Sequence, residues 1–206
     1  MKITLIGDSI RMQYEPLVRE ALGDKFEIFA PTENCRYAKF NLRGMWEWRE
    51  NMQGTRIVHW NCGLWDICDI FGDNRLFTSL EEYSENVLRV ADILLSRYDK
   101  VIFATTTPVR EENVWNDNRD IQRFNEAIVP KLREKGVIIN DLHSIIVKDI
   151  PKLVSDDLIH LSPEGVRLVA DAVIGKILDV AQTLTDDVGK TQTVTLDESG
   201  VPIEFR

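Results

Sequence analysis

Ser9 in Gly7-Asp8-Ser9-Ile10 and His160 in Asp157-Leu158-Ile159-His160 have the types and placement that nucleophilic catalysis requires. A serine hydroxyl attacks a carbonyl once a neighbouring base takes its proton. An aspartate ahead of a histidine on a tight turn accepts the Nδ1 proton and leaves Nε2 free to be that base. Asn61, in His59-Trp60-Asn61-Cys62-Gly63-Leu64-Trp65-Asp66, supplies an amide able to donate to an oxyanion. Each segment also has an ordinary reading when taken alone. Gly-Asp-Ser makes a turn with a helix cap, Asp157 and His160 make a capped surface loop, and Asn61 bonds a neighbouring turn. His143 is a rival base, but no acid stands three residues ahead of it.

Short β-branched runs separated by helical spacing are expected to position these residues. The runs are Lys2 to Ile6, Lys25 to Phe29, Arg56 to Trp60, Lys100 to Ala104 and Gly136 to Ile139. Helices are expected over Glu15 to Leu22 opened by Pro16, Leu80 to Tyr98, Asp117 to Lys135 closed by Gly136, and from the Ser162 cap and Pro163 onward. Strands joined by right-handed helical crossovers are parallel, so an α/β three-layer sandwich with five parallel strands follows. Ligands bind such sheets beyond the carboxyl ends of the strands, and Ser9 and Asn61 fall there. Residues 30 to 55 and 105 to 118 read as long connections, which in a small domain usually serve function. The composition shift after Thr183 reads as a β-hairpin-like extension over residues 184–206, appended to a domain of residues 1–183.

The chain has 206 residues and a formal charge of −9. At this length about 70% of the extended-chain surface is buried on folding, so stability needs no disulfide or structural metal. The acidic balance argues against nucleic acid or an anionic membrane as partner. With no long apolar run and no leader-like opening, a cytoplasmic location is expected. Cys35, Cys62 and Cys68 are irregularly spaced and read as reduced thiols. His59 with Cys62 and Cys68 matches no standard zinc spacing, and neither a P-loop nor Gly-x-Gly-x-x-Gly is present, so no metal or cofactor is expected.

Taken together, Gly7-Asp8-Ser9 near the amino terminus, Gly44 in Leu42-Arg43-Gly44-Met45, the Asn61 block after the third strand, and Asp157-x-x-His160 before the last helix resemble the SGNH, or GDSL-type, hydrolases. The resemblance covers about residues 2 to 183 and implies a flavodoxin-like fold and esterase activity. It makes Ser9 the nucleophile, His160 the general base and Asp157 its orienting acid. The oxyanion hole it implies combines the backbone N–H groups of Ser9 and Gly44 with the Asn61 amide. The third block departs from the usual Gly-x-Asn-Asp: Gly63-Leu64-Trp65-Asp66 puts tryptophan at the asparagine position, so Asn61 takes the donor role and Asp66 braces the loop. Trp46, Trp48, Trp60, Trp65 and Trp115 all fall near the expected mouth, and Trp46, Trp65 and Trp115 are candidates to stack on a sugar. Arg43, Arg49 and Arg110 would meet an anionic group or form surface pairs. The expected substrate is a small acyl ester, acetyl above all, on a carbohydrate. The alternatives are longer acyl chains, as in a lysophospholipase or thioesterase, or a silent binding member of the fold. The acidic extension hints at a homodimer.

Overall fold

The β-branched runs become one parallel sheet. β1 (Lys2–Ile6), β2 (Glu27–Phe29), β3 (Thr55–Trp60), β4 (Lys100–Ala104) and β5 (Ile138–Asn140) lie in the order β2-β1-β3-β4-β5. The computed structural model describes residues 1–184, and the extension expected beyond Leu184 lies outside the described residues. Consecutive residues such as Leu5 with Ile6, Ile57 with Val58 and Ile102 with Phe103 are fully buried. That is the mark of a sheet covered by helices on both faces, where strands need not alternate with polar residues.

The helices are α1 (Ser9–Leu22), α2 (Ala38–Glu47), α3 (Leu80–Arg97), α4 (Asn118–Glu134), α5 (His143–Ile146), α6 (Ile150–Leu153) and α7 (Pro163–Gln182), with a 3₁₀ turn at Val147–Asp149. α1 packs on α7, while α2, α3 and α4 pack in series. The chain leaves β1 toward β2 on one side and reaches β3 on the other, so the strand order reverses between β1 and β3. A crevice forms at that switch point, beyond the carboxyl ends of the two strands. No helix among the described residues is long and apolar enough to cross a membrane.

Besides the one-turn α5 and α6, which were not expected, two longer helices differ from expectation. α1 begins at Ser9 rather than Glu15, and Pro16 stands inside it. The Asp8 side chain accepts from Ile10 N at 3.0 Å, and Ile10, Tyr14, Val18 and Leu22 bury one continuous stripe. A cap and a buried stripe together outweigh the one helical donor that proline lacks. α2 lies within the expected connection of residues 30 to 55. Its N-cap residue, Tyr37, makes no side-chain capping bond; instead the Asp66 carboxylate accepts Ala38 N at 3.0 and 3.2 Å. A cap supplied from 28 residues away leaves no local start signal.

Candidate active site

β1 and β3 end side by side, Ile6 opposite Trp60, and Asn61 N donates to the Ile6 carbonyl at 3.0 Å. The Asn61 amide then donates from Nδ2 to Asp8 Oδ1 at 2.9 Å. This contact explains Gly7: a Cβ there would lie 2.0 Å from Asn61 Oδ1 and 2.6 Å from Arg11 Cβ. Gly7 is therefore needed to admit the amide. Its φ is not among the positive values, so close approach and not backbone conformation calls for the glycine. Burial pushes the Asp8 carboxyl up, while the bonds from Asn61 and Ile10 N and the charges of Arg11 and His160 pull it back. Ser9 follows as the first residue of α1, half-buried. Backbone N–H groups of a first helical turn have no acceptor within the helix, which leaves the Ser9 N–H available to a ligand.

The second half of the site is the loop before α7. His160 Nδ1 and Asp157 Oδ2 are 2.7 Å apart. Asp157 Oδ1 accepts from Ser155 Oγ at 2.7 Å, Ile159 N at 3.1 Å and His160 N at 2.9 Å. Partial desolvation pushes the Asp157 carboxyl up, but these donors outweigh it and hold the group well below the usual carboxylate range. An ionised Asp157 keeps the proton on Nδ1, so Nε2 is the basic nitrogen. The loop closes on itself through Ser155 N donating to His160 O at 2.7 Å and a bridge between Val154 and Leu161. Arg110 braces it from the 105–118 connection, donating to Val154 O at 2.9 and 3.0 Å and to Pro151 O at 2.9 Å. Arg110 is thus a loop clamp.

Gln13 joins the two halves. Its Nε2 donates to Leu161 O at 3.1 Å and its Oε1 accepts Leu161 N at 3.0 Å. Residues four apart share a helix face, so Gln13 stitches the residue after His160 onto the face of α1 that begins with Ser9. The sequence offers no local signal for either brace, because both are side-chain bonds to distant backbone.

No protein-family model matches the chain, and no curated protein matches it. Solved structures do. A lipase/acylhydrolase from Enterococcus faecalis superposes with a TM-score of 0.73 at 16% identity, covering 87% of this chain and 96% of that one. An acetyl xylan esterase gives 0.72 at 18% identity, over 86% of this chain and 100% of that one. A GDSL-like lipase from Bacteroides thetaiotaomicron gives 0.70 at 16% identity, over 87% of this chain and 88% of that one. The fold is that of the GDSL-type hydrolases.

Within that GDSL-type fold, Gly44 falls away from the expected oxyanion hole. It is inside α2, where the helical pattern commits its N–H to the carbonyl four residues back. A Cβ at Gly44 would meet the Trp48 ring at 2.3 Å, so the glycine makes room for an indole. The tryptophans divide. Trp48 (6% exposed) and Trp60 (0%) are packed inside, Trp60 against Phe103 with ring centroids 4.8 Å apart. Trp65 (40%) and Trp115 (51%) are open to solvent, on loops tied together by Asp69 N donating to Trp115 O at 2.7 Å. Trp46 lies on α2 with the Arg49 guanidinium 4.1 Å from its ring centroid. Arg43 pairs with Glu47 on the surface of the same helix. The three cysteines are free and buried. His143 sits at the head of α5, lining a groove of about 600 Å³ against α4.

Asp66 caps α2, and burial pushes its carboxyl up to about 7 against the bonds from Ala38 and Thr78. The folded state therefore holds this proton more tightly than the unfolded chain does. The stabilisation is whole below about pH 4 and is lost as pH rises through 7. Asp66→Asn is expected to gain on the wild type by up to roughly 4 kcal/mol between pH 4 and pH 8. Urea unfolding of both proteins across that range checks this, and parallel stability curves would contradict it.

Proposed function

We propose that the chain is a serine ester hydrolase acting on small acyl esters, acetyl above all, carried by a carbohydrate. The observation that carries this reading is the His160–Asp157 pair, stitched by Gln13 to the helix face that begins with Ser9. In this mechanism Nε2 of His160 takes the Ser9 proton as Oγ attacks the ester carbonyl. The negative charge then developing on the carbonyl oxygen is met by the Ser9 N–H and the Asn61 amide. His160 returns the proton to the departing alcohol, and an acyl-enzyme remains. Water, activated by the same imidazole, releases the acid and restores Ser9.

The short acyl group is supported by the space available. The recess lined by Asp8, Ile10, Asn61, Leu64 and Leu142 measures about 10 Å³, room for about one water-sized group such as a methyl. The carbohydrate is supported by the exposed indoles of Trp65 and Trp115, Trp65 standing next in sequence to Leu64 of that recess, with Trp46 a further candidate. Acetyl xylan esterases among the structures of the same fold agree with both points.

A series of p-nitrophenyl esters from acetate to octanoate tests the proposal. kcat/KM is expected to be highest for acetate and at least about tenfold lower for octanoate, since a chain that the recess does not admit must displace packed side chains at a cost of about 1 to 3 kcal/mol. Acetylated xylo-oligosaccharides should then be turned over more efficiently than p-nitrophenyl acetate. A maximum at octanoate would favour the long-chain alternative, and no turnover of any ester would leave a binding protein.

A further inference from the structure

The run Thr105-Thr106-Thr107 directly follows β4, and its hydroxyls are used unequally. Thr105 Oγ1 donates to Asp141 Oδ1 at 2.9 Å and accepts His143 N at 2.9 Å. Thr106 Oγ1 donates to Cys62 O at 3.1 Å. Thr107 is 2% exposed, yet its Oγ1 has no hydrogen-bond partner among the described residues. A buried hydroxyl left unpaired destabilises the fold, so it asks for a reason.

Its location supplies one. Thr107 lines the same recess of about 10 Å³ as Asp8 and Asn61. The oxyanion hole is also short of a donor, because Gly44 is committed within α2. A hydroxyl hydrogen rotates freely about its C–O bond and can be turned toward an acceptor that arrives.

We propose that the Thr107 hydroxyl is the third donor to the acyl carbonyl oxygen, beside the Ser9 N–H and the Asn61 amide. This assignment rests on the esterase reading and adds to it a catalytic residue outside the Ser-His-Asp set. The unpaired hydroxyl is then a group kept ready for a charge that exists only during reaction, at a standing cost to stability.

Thr107→Val keeps the shape and removes the hydroxyl, while Thr107→Ser keeps a hydroxyl and removes the methyl. Thr107→Val is expected to melt at or above the wild-type temperature, since an unpaired polar group has been removed. Its kcat on p-nitrophenyl acetate is expected to fall about 10²- to 10³-fold, with KM little changed. Thr107→Ser is expected to retain most of the activity. Wild-type kcat in Thr107→Val, an effect confined to KM, or a serine variant as slow as the valine one would each overturn the assignment. Ser9→Ala separates this from failure of the underlying reading. Esterase activity that survives Ser9→Ala removes Ser9 as the nucleophile, and no turnover by the wild type removes the esterase reading itself, whereas activity lost in Ser9→Ala but kept in Thr107→Val removes Thr107 alone.

Discussion

Ser9→Ala is expected to lower kcat for p-nitrophenyl acetate by on the order of 10⁵- to 10⁶-fold. Without the hydroxyl no acyl-enzyme forms, and the remaining groups only assist direct attack by water. The fold should be indifferent to the change. The start of α1 is set by the Asp8 carboxyl accepting Ile10 N and by the buried stripe from Ile10 to Leu22, neither of which uses the Ser9 side chain. Thermal melting should therefore match the wild type while steady-state turnover collapses. A variant that keeps even a tenth of the wild-type rate would place the nucleophile elsewhere.

Asp157→Asn is expected to cost on the order of 10⁴-fold in kcat. The carboxylate has two tasks: one oxygen gathers Ser155 Oγ, Ile159 N and His160 N, and the other faces His160 Nδ1. An amide keeps one accepting oxygen, which the loop claims for its three donors. Its NH₂ then faces the imidazole and favours the tautomer protonated on Nε2, which is no base. The loop should survive, so KM should change far less than kcat. Because its donors hold Asp157 well below the usual carboxylate range, protonation of this group should not limit the wild-type rate at or near neutral pH. A near-wild-type kcat in Asp157→Asn would show that His160 needs no orienting acid.

Much of this arrangement was legible in the chain itself. The strands were visible because covered parallel strands are runs of β-branched residues bounded by turns, and β1 and β4 have the expected limits. Asn61 was visible because it stands immediately after such a run. What stayed hidden was carried by long-range bonds. α2 has no cap of its own, since its cap is Asp66, and a helix without a start signal reads as loop. The family resemblance gave the Gly44 N–H an oxyanion role, whereas inside α2 the glycine clears the Trp48 ring. Gln13 and Arg110 carry no local signal because their partners are backbone atoms of a loop remote in sequence. The tryptophans were indistinguishable as letters. Trp60 occupies the last position of a covered strand, and Trp65 stands five residues beyond it in an open loop.

The central claim is that the hydroxyl at the head of α1 is activated by the imidazole of the α7 loop, and covalent trapping tests it most directly. Incubation with a fluorophosphonate followed by peptide mass spectrometry is expected to show one adduct, on Ser9, which disappears in Ser9→Ala and forms at a greatly reduced rate in His160→Ala. An adduct on a different residue, or none on protein shown to be folded, would contradict the account.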